Sequence, residues 1–201
     1  MSQVKKEHRL MEVRAIQENE NEDMIVEGYA LTFNDPTVLY EYDGVKYYEQ
    51  ISANALDNAD LSDVPFKYNH SDNRLVLART RNKTLSLTID EKGLFIRANI
   101  APTQEGKDLY TLIKRGDIDK MSFAFTIDYE NEGETYDRGT RMRTITRIKK
   151  LWDVAAVEIP AYDTTSISAR SFFELEREKE QKALENAELR KKLKLKLKLN
   201  Y

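Results

Sequence analysis

The chain has 201 residues, 40% of them hydrophobic and 33% charged, and a formal net charge of -3. That length suits one domain with a substantial core plus an appendage, and the near balance of charge argues against a general nucleic-acid binder. There is no cysteine, and the two histidines are His8 and His70; this excludes disulfides, a cysteine nucleophile and thiolate metal sites, and no metal or cofactor is expected.

The N-terminal stretch "MSQVKKEHRLMEVRAIQ" lacks the apolar core of a signal peptide, and no segment approaches the roughly 20 apolar residues of a membrane span. The expectation is a chain that stays in the cytoplasm where it is made, with no membrane partner. Period-two alternation rich in β-branched and aromatic residues then predicts strands over 8–17, 24–33, 47–52, 64–69, 74–80, 84–90, 93–100, 121–130, 140–150 and 151–159. Two helices are expected between them. One is a short segment over 52–60. The other spans 103–116, with Thr103 as its cap, Leu109, Leu112 and Ile113 on one face, and Gly116 at its end. The fold class that follows is mainly β (α+β), a closed or nearly closed antiparallel barrel with surrounding helices. After Arg170 the composition changes to a charged helix with neither Pro nor Gly, acidic at first and basic at its end. Residues 1–170 are therefore expected to form the domain and 171–201 a tail, whose period-two tip "KKLKLKLKL" predicts fraying or disorder.

In "KMSFAFTI", strand parity puts Met121, Phe123, Phe125 and Ile127 on one face and Ser122, Ala124 and Thr126 on the other. The second face is small around the serine and leaves room for an extended peptide. A serine hydroxyl becomes a nucleophile when a base removes its proton, and the usual base is histidine. His70 follows the strand "VPFKYN" and precedes the turn-like "SDN", at a strand end, whereas His8 lies among charges near the N-terminus. A carboxylate on the other imidazole nitrogen would complete the set. "LWDVAAVEIPAY" offers Asp153 and Glu158, five apart and so on opposite faces of a regular strand. An acid sharing its face with Leu151, Ala155 and Val157 favours Asp153, and Glu158 at the strand end stays open. Taken singly, each residue also has a bland reading: a strand serine, a surface histidine, and an aspartate paired with Lys149 or Lys150.

Five blocks in order, "VEGYALTFN", "YYEQISANAL", "FKYNHSDNRLVLART", "LYTLIKRGDIDKMSFAF" and "LWDVAAVEIPAYDTTSI", resemble the prohead proteases of HK97-like tailed bacteriophages over roughly residues 10–170. The resemblance implies a serine endopeptidase related to the herpesvirus assembly proteases. Such an enzyme cuts the scaffold, or the scaffolding segment of the major capsid protein, inside an immature procapsid. It places the histidine on His70, the nucleophile on Ser122 and the acidic member on Asp153. Ala124 stands where many relatives have Gly, Ala155 where they commonly have Ser, and Asp153 where the family usually has Glu. The herpesvirus relatives use a second histidine as third member, and the sequence near Asp153 contains none. The implied partners are the capsid and scaffold proteins and a second copy in a homodimer, not nucleic acid. Backbone amides near Ser122, or Arg79 or Arg81, are candidate oxyanion donors, and none is assigned. The alternative is a non-catalytic assembly or scaffolding protein with a degenerate site. The tail is read as a tether, a solubilising segment, or one trimmed by the enzyme itself.

Overall fold

The computed structural model describes residues 6–16, 23–158 and 167–199. Among the described residues thirteen strands run in the order β1 (Glu7–Glu12), β2 (Arg14–Ile16), β3 (Ile25–Thr32), β4 (Thr37–Tyr42), β5 (Val45–Ile51), β6 (Pro65–Tyr68), β7 (Ala78–Arg79), β8 (Leu85–Ile89), β9 (Gly93–Asn99), β10 (Lys120–Ile127), β11 (Glu134–Asp137), β12 (Met142–Ile145) and β13 (Ile148–Val157). Two α-helices, α1 (Gln104–Arg115) and α2 (Ile167–Leu199), and two single-turn 3-10 helices (Thr80–Asn82 and Tyr129–Asn131) accompany them. Gln17 and Ile159, the ends of two expected strands, and Asn200 and Tyr201, the end of the expected tail, lie outside the described residues.

The strands form three sheets, ordered β1-β10-β13-β6-β7, β11-β12-β5-β4 and β2-β3-β9-β8. The expected antiparallel barrel is therefore corrected: the sheets do not close on one another, and β5–β12 and β6–β13 pair in parallel. Alternation reports which face of a strand is buried, but neither the direction of its neighbour nor whether edges meet. The first and third sheets are joined by one chain segment that changes sheets at Val13, whose N–H donates to the Asp119 carbonyl at 2.9 Å. There β3 passes so close to β1 that a Cβ on Gly28 would lie 2.5 Å from the Glu12 carbonyl oxygen.

Two strands were not expected. β4 joins β5 through Asp43 and Gly44, with φ of 51° and 72°, and Tyr42 faces Val45; two left-handed residues make the tight hairpin that an Asp-Gly pair favours. β11 is a four-residue edge strand with alternate residues exposed. The expected helix over 52–60 is instead a run of turns, with Ala55, Asp57 and Ala59 donating to the carbonyls three residues back. Asn and Asp side chains at 54, 57 and 58 favour such local bonding over a helix interior. Of the expected strand over 74–80, Ala78–Arg79 alone joins a ladder.

α1 follows the expectation closely. Thr103 Oγ1 accepts from the Gly106 N–H at 3.1 Å, and Gly116 returns its N–H to the Ile113 carbonyl. Leu109 and Ile113 are buried in the main core with Phe66, Phe123, Phe125 and Val154. α2 continues helically through the stretch expected to fray. Its first turns are seated: Phe173 is fully buried against Tyr40, Tyr47 and Tyr136, and Arg177 lies 3.9 Å over the Tyr42 ring. Among the described residues no helix is long and apolar enough to cross a membrane.

A buried charge cluster ties the first sheet to the second. Arg143 on β12 donates to Glu7 on β1, Glu49 on β5 and Glu134 on β11, and Arg9 on β1 joins Glu7 to Glu49. Burial works against the charge on Glu7, but Arg9 and Arg143 outweigh it and hold its carboxyl below the usual range. β1 is thus held at its flanking residues, on both sides of His8.

Candidate active site

The two faces of β10 divide as parity predicts. Met121, Phe123, Phe125 and Ile127 belong to the main core, together with Leu151, Val154 and Ala156 of β13. Residues opposite one another in neighbouring strands share a face. The other face is therefore assembled from Leu10 opposite Ser122, His8 opposite Ala124, Asp153 opposite Ala124 and Ala155 opposite Ser122, with Lys67 of β6 beside Ala155. Ser122, Ala124 and Ala155 give this face a floor of small side chains.

Asp153 reaches that face through an irregularity. Between Ala124 and Phe125 the register jumps from Asp153 to Leu151, leaving Trp152 as an extra residue on β13. Such a bulge re-aims the side chains beyond it. Leu151 consequently points into the core while Asp153 points to the Ser122 face, which corrects the expectation that the two share a face. The Trp152 indole N–H donates to Thr126 Oγ1 at 2.7 Å.

His70 arrives from the end of β6 on a tight turn. Asn69 and His70 both have φ of 52°, and the Ser71 N–H donates to the Tyr68 carbonyl at 3.1 Å. Two left-handed non-glycine residues in succession are uncommon, and such backbone concentrates at functional sites. Asn69 secures the turn: its N–H donates to the Ala156 carbonyl, and its side-chain oxygen accepts from the Glu158 N–H at 3.1 Å.

The turn brings His70 Nδ1 into a hydrogen bond with Asp153 Oδ1. Asp153 is 4% exposed. Its second oxygen lies 3.8 Å from Lys67 Nζ, which also contacts Asp72 at 2.7 Å. A carboxylate at Nδ1 holds the tautomer that carries its proton there, leaving the Nε2 lone pair as a base. His70 Nε2 is buried without a hydrogen-bond partner, so the Ser122 hydroxyl is not bonded to it in this state. Ser122 is itself 2% exposed.

Glu158 lies exposed at the end of β13. Arg79 forms a two-pronged pair with Asp63, and Arg81 lies 3.8 Å from the same carboxylate. Arg79 sits opposite Pro65, at the other end of β6 from His70.

Sequence reasoning passed over His8 and Lys67. The His8 ring packs edge-on against His70, with centroids 4.4 Å apart. A second imidazole therefore stands in the site, although none lies near Asp153 in sequence. Burial, and then the neighbouring His70, pull His8 down to about 4 against the opposing influence of Asp153. Register between β1 and β10 decides this contact, and no local pattern announces it. Lys67 had a weak signal, a charged residue three before His70 in the apolar strand "VPFKYN", where it is the one half-buried position of β6.

A caudovirus prohead serine protease family model matches residues 10–180. No curated protein sequence matches the chain. Among solved structures, the bacteriophage T4 capsid assembly protease, gp21, is similar at 13% identity and a TM-score of 0.41, covering 75% of this chain and 98% of that one. Because the family model spans residues 10–180, most of the chain, this protein belongs to the caudovirus prohead serine protease family.

Proposed function

We propose that the protein is an active serine endopeptidase of procapsid maturation, with Ser122 as nucleophile, His70 as base and Asp153 as the group that orients and stabilises the imidazolium. The observation that carries this reading is the His70–Asp153 hydrogen bond on the face of the sheet that also presents Ser122. In the reaction His70 Nε2 takes the Ser122 proton, and Ser122 Oγ attacks the peptide carbonyl. The same proton then passes to the leaving amine, and water hydrolyses the acyl-enzyme by the reverse roles. The missing Ser122–His70 bond is closed when substrate seats, as catalytic hydrogen bonds tighten in the Michaelis complex. The substrates are the scaffold or the scaffolding segment of the major capsid protein, met inside the immature procapsid in the host cytoplasm, and the tail of the enzyme itself.

Co-expression of capsid and scaffold proteins with the wild type or with Ser122→Ala, followed by intact mass measurement, tests this. Cleavage confined to the wild type is expected, and processing in the variant would refute the assignment. The unengaged Nε2 and the burial of Ser122 favour a second reading, a non-catalytic assembly protein. A fluorophosphonate adduct on Ser122 supports the enzyme, whereas a folded protein that stays unlabelled supports the second reading.

A further inference from the structure

His8 belongs to none of the roles assigned so far, yet its place in the fold is tightly specified. It lies opposite Ala124 on one side of β10, as Asp153 does on the other. Ala124 has no side chain beyond its Cβ, so the His70 ring has space between the two flanking residues. Asp153 takes His70 by Nδ1, and the His8 ring meets it edge-on at 4.4 Å. Both rings keep one buried nitrogen without a partner, Nδ1 of His8 and Nε2 of His70.

We propose that His8 is a positioning residue for His70: a neutral imidazole wall that fixes the ring against Asp153, excludes water from it, and withdraws that support when it becomes protonated. The inference rests on the triad reading above and adds a residue to it. The anchoring of β1 on either side of His8 explains how the wall stays in place. Glu7 and Arg9 both enter the buried cluster around Arg143.

The charges around His8 give the switch its direction. Arg9 on its own strand and Lys6 just before it oppose a proton on it, and from the His70 turn so does His70. Asp153 on β13 favours the proton, Lys67 and Asp72 form a pair beside Asp153, and β10 contributes the uncharged Ser122, Ala124 and Thr126. Burial adds to the opposition. A neutral His8 packs on the ring; a charged one would place a cation beside an imidazole that must itself accept a proton during the reaction.

The test is the low-field proton resonance of the His70–Asp153 hydrogen bond in the full-length protein, with Ser122 labelling by a fluorophosphonate followed alongside it. His8→Ala admits water and should broaden the resonance by exchange, with labelling slowed about 10- to 100-fold, the scale of a misplaced catalytic group. His8→Phe restores the wall without a titratable group, so the resonance should return and persist to lower pH than in the wild type. A merely structural His8 would change the melting temperature and leave the resonance sharp in the alanine variant, which would overturn the proposal. If His8→Ala does not fold, the wild type alone decides. Its His8 ring should titrate near 4 together with loss of the resonance, and titration near the free value of about 6.5 overturns the idea. Because the resonance requires no reaction at Ser122, failure of labelling with these spectra intact counts against the protease reading and not against the role of His8.

Discussion

His70 and Asp153, 83 positions apart in the sequence, meet through Nδ1 and Oδ1, while the other nitrogen of His70 is buried and free of any hydrogen-bond partner. This leaves one imidazole nitrogen oriented and the other available. The first prediction follows from it. Asp153→Asn should lower the rate of Ser122-dependent cleavage by about 10³- to 10⁴-fold through loss of the correct tautomer, whereas Glu158→Gln, at an exposed position, should change it little. Parallel kinetics on a scaffold-derived peptide decide between them, and equal losses would show that Asp153 does not orient the base.

Ala124 lies between His8 and Asp153 on the floor under His70. Ala124→Val puts two methyl groups into that space, at a fully buried position. The expected cost is about 1–3 kcal/mol of stability, together with slower fluorophosphonate labelling at the same pH. Urea melts and labelling rates on one preparation check both, and unchanged labelling would show that the His70 ring does not rest there.

The buried cluster makes a prediction for stability and its pH dependence. Arg143→Met leaves Glu7 and Glu49 buried with fewer cationic partners and should cost about 3–5 kcal/mol, read from the urea midpoint. Glu7 has its carboxyl lowered in the fold, so the unfolded chain binds more protons than the native one as pH falls. Its contribution is complete above the unfolded value of about 4.3 and is lost as pH drops through the lower folded value. The stability difference between wild type and Glu7→Gln should therefore shrink on acidification from about pH 7 to about pH 3. A constant difference would remove Glu7 from the account.

At the other end of the molecule, Phe173 is fully buried among Tyr40, Tyr47 and Tyr136. Phe173→Ala should cost about 3–5 kcal/mol and loosen the first turns of α2. Burial, with help from Glu180 and Glu176 on that helix, pushes the Tyr136 phenol up to about 12. Loosening the helix should return it toward the ordinary value near 10. Ultraviolet difference titration reads the change, and a phenol that stays high would mean that the helix remains seated by Phe172 and Arg177.

Much of the local structure could be read from the residues alone. α1 was legible down to its Thr103 cap and Gly116 terminus, because capping bonds span three or four residues. The division of β10 into a core face and a small-residue face with Ser122 was legible because side chains alternate within a single strand. His70 and Asp153 emerged as candidates by scarcity of histidine and by an acid in an apolar strand, and the ordered blocks pointed to the family.

The pairings were settled by distant parts of the chain meeting. Whether β13 runs parallel to β6, whether the sheets close, and where Trp152 bulges all depend on which edges find one another, and a strand's own alternation is the same in every case. The bulge decided that Asp153 and not Leu151 reaches the Ser122 face, and the β1–β10 register set His8 against His70. In sequence His8 is one polar residue among charges; its buried role appears only when Glu7 and Arg9 find Glu49 and Arg143 across the fold. Short-range hydrogen bonding and side-chain parity belong to the local sequence, whereas register, closure and buried charge pairing belong to the assembled chain.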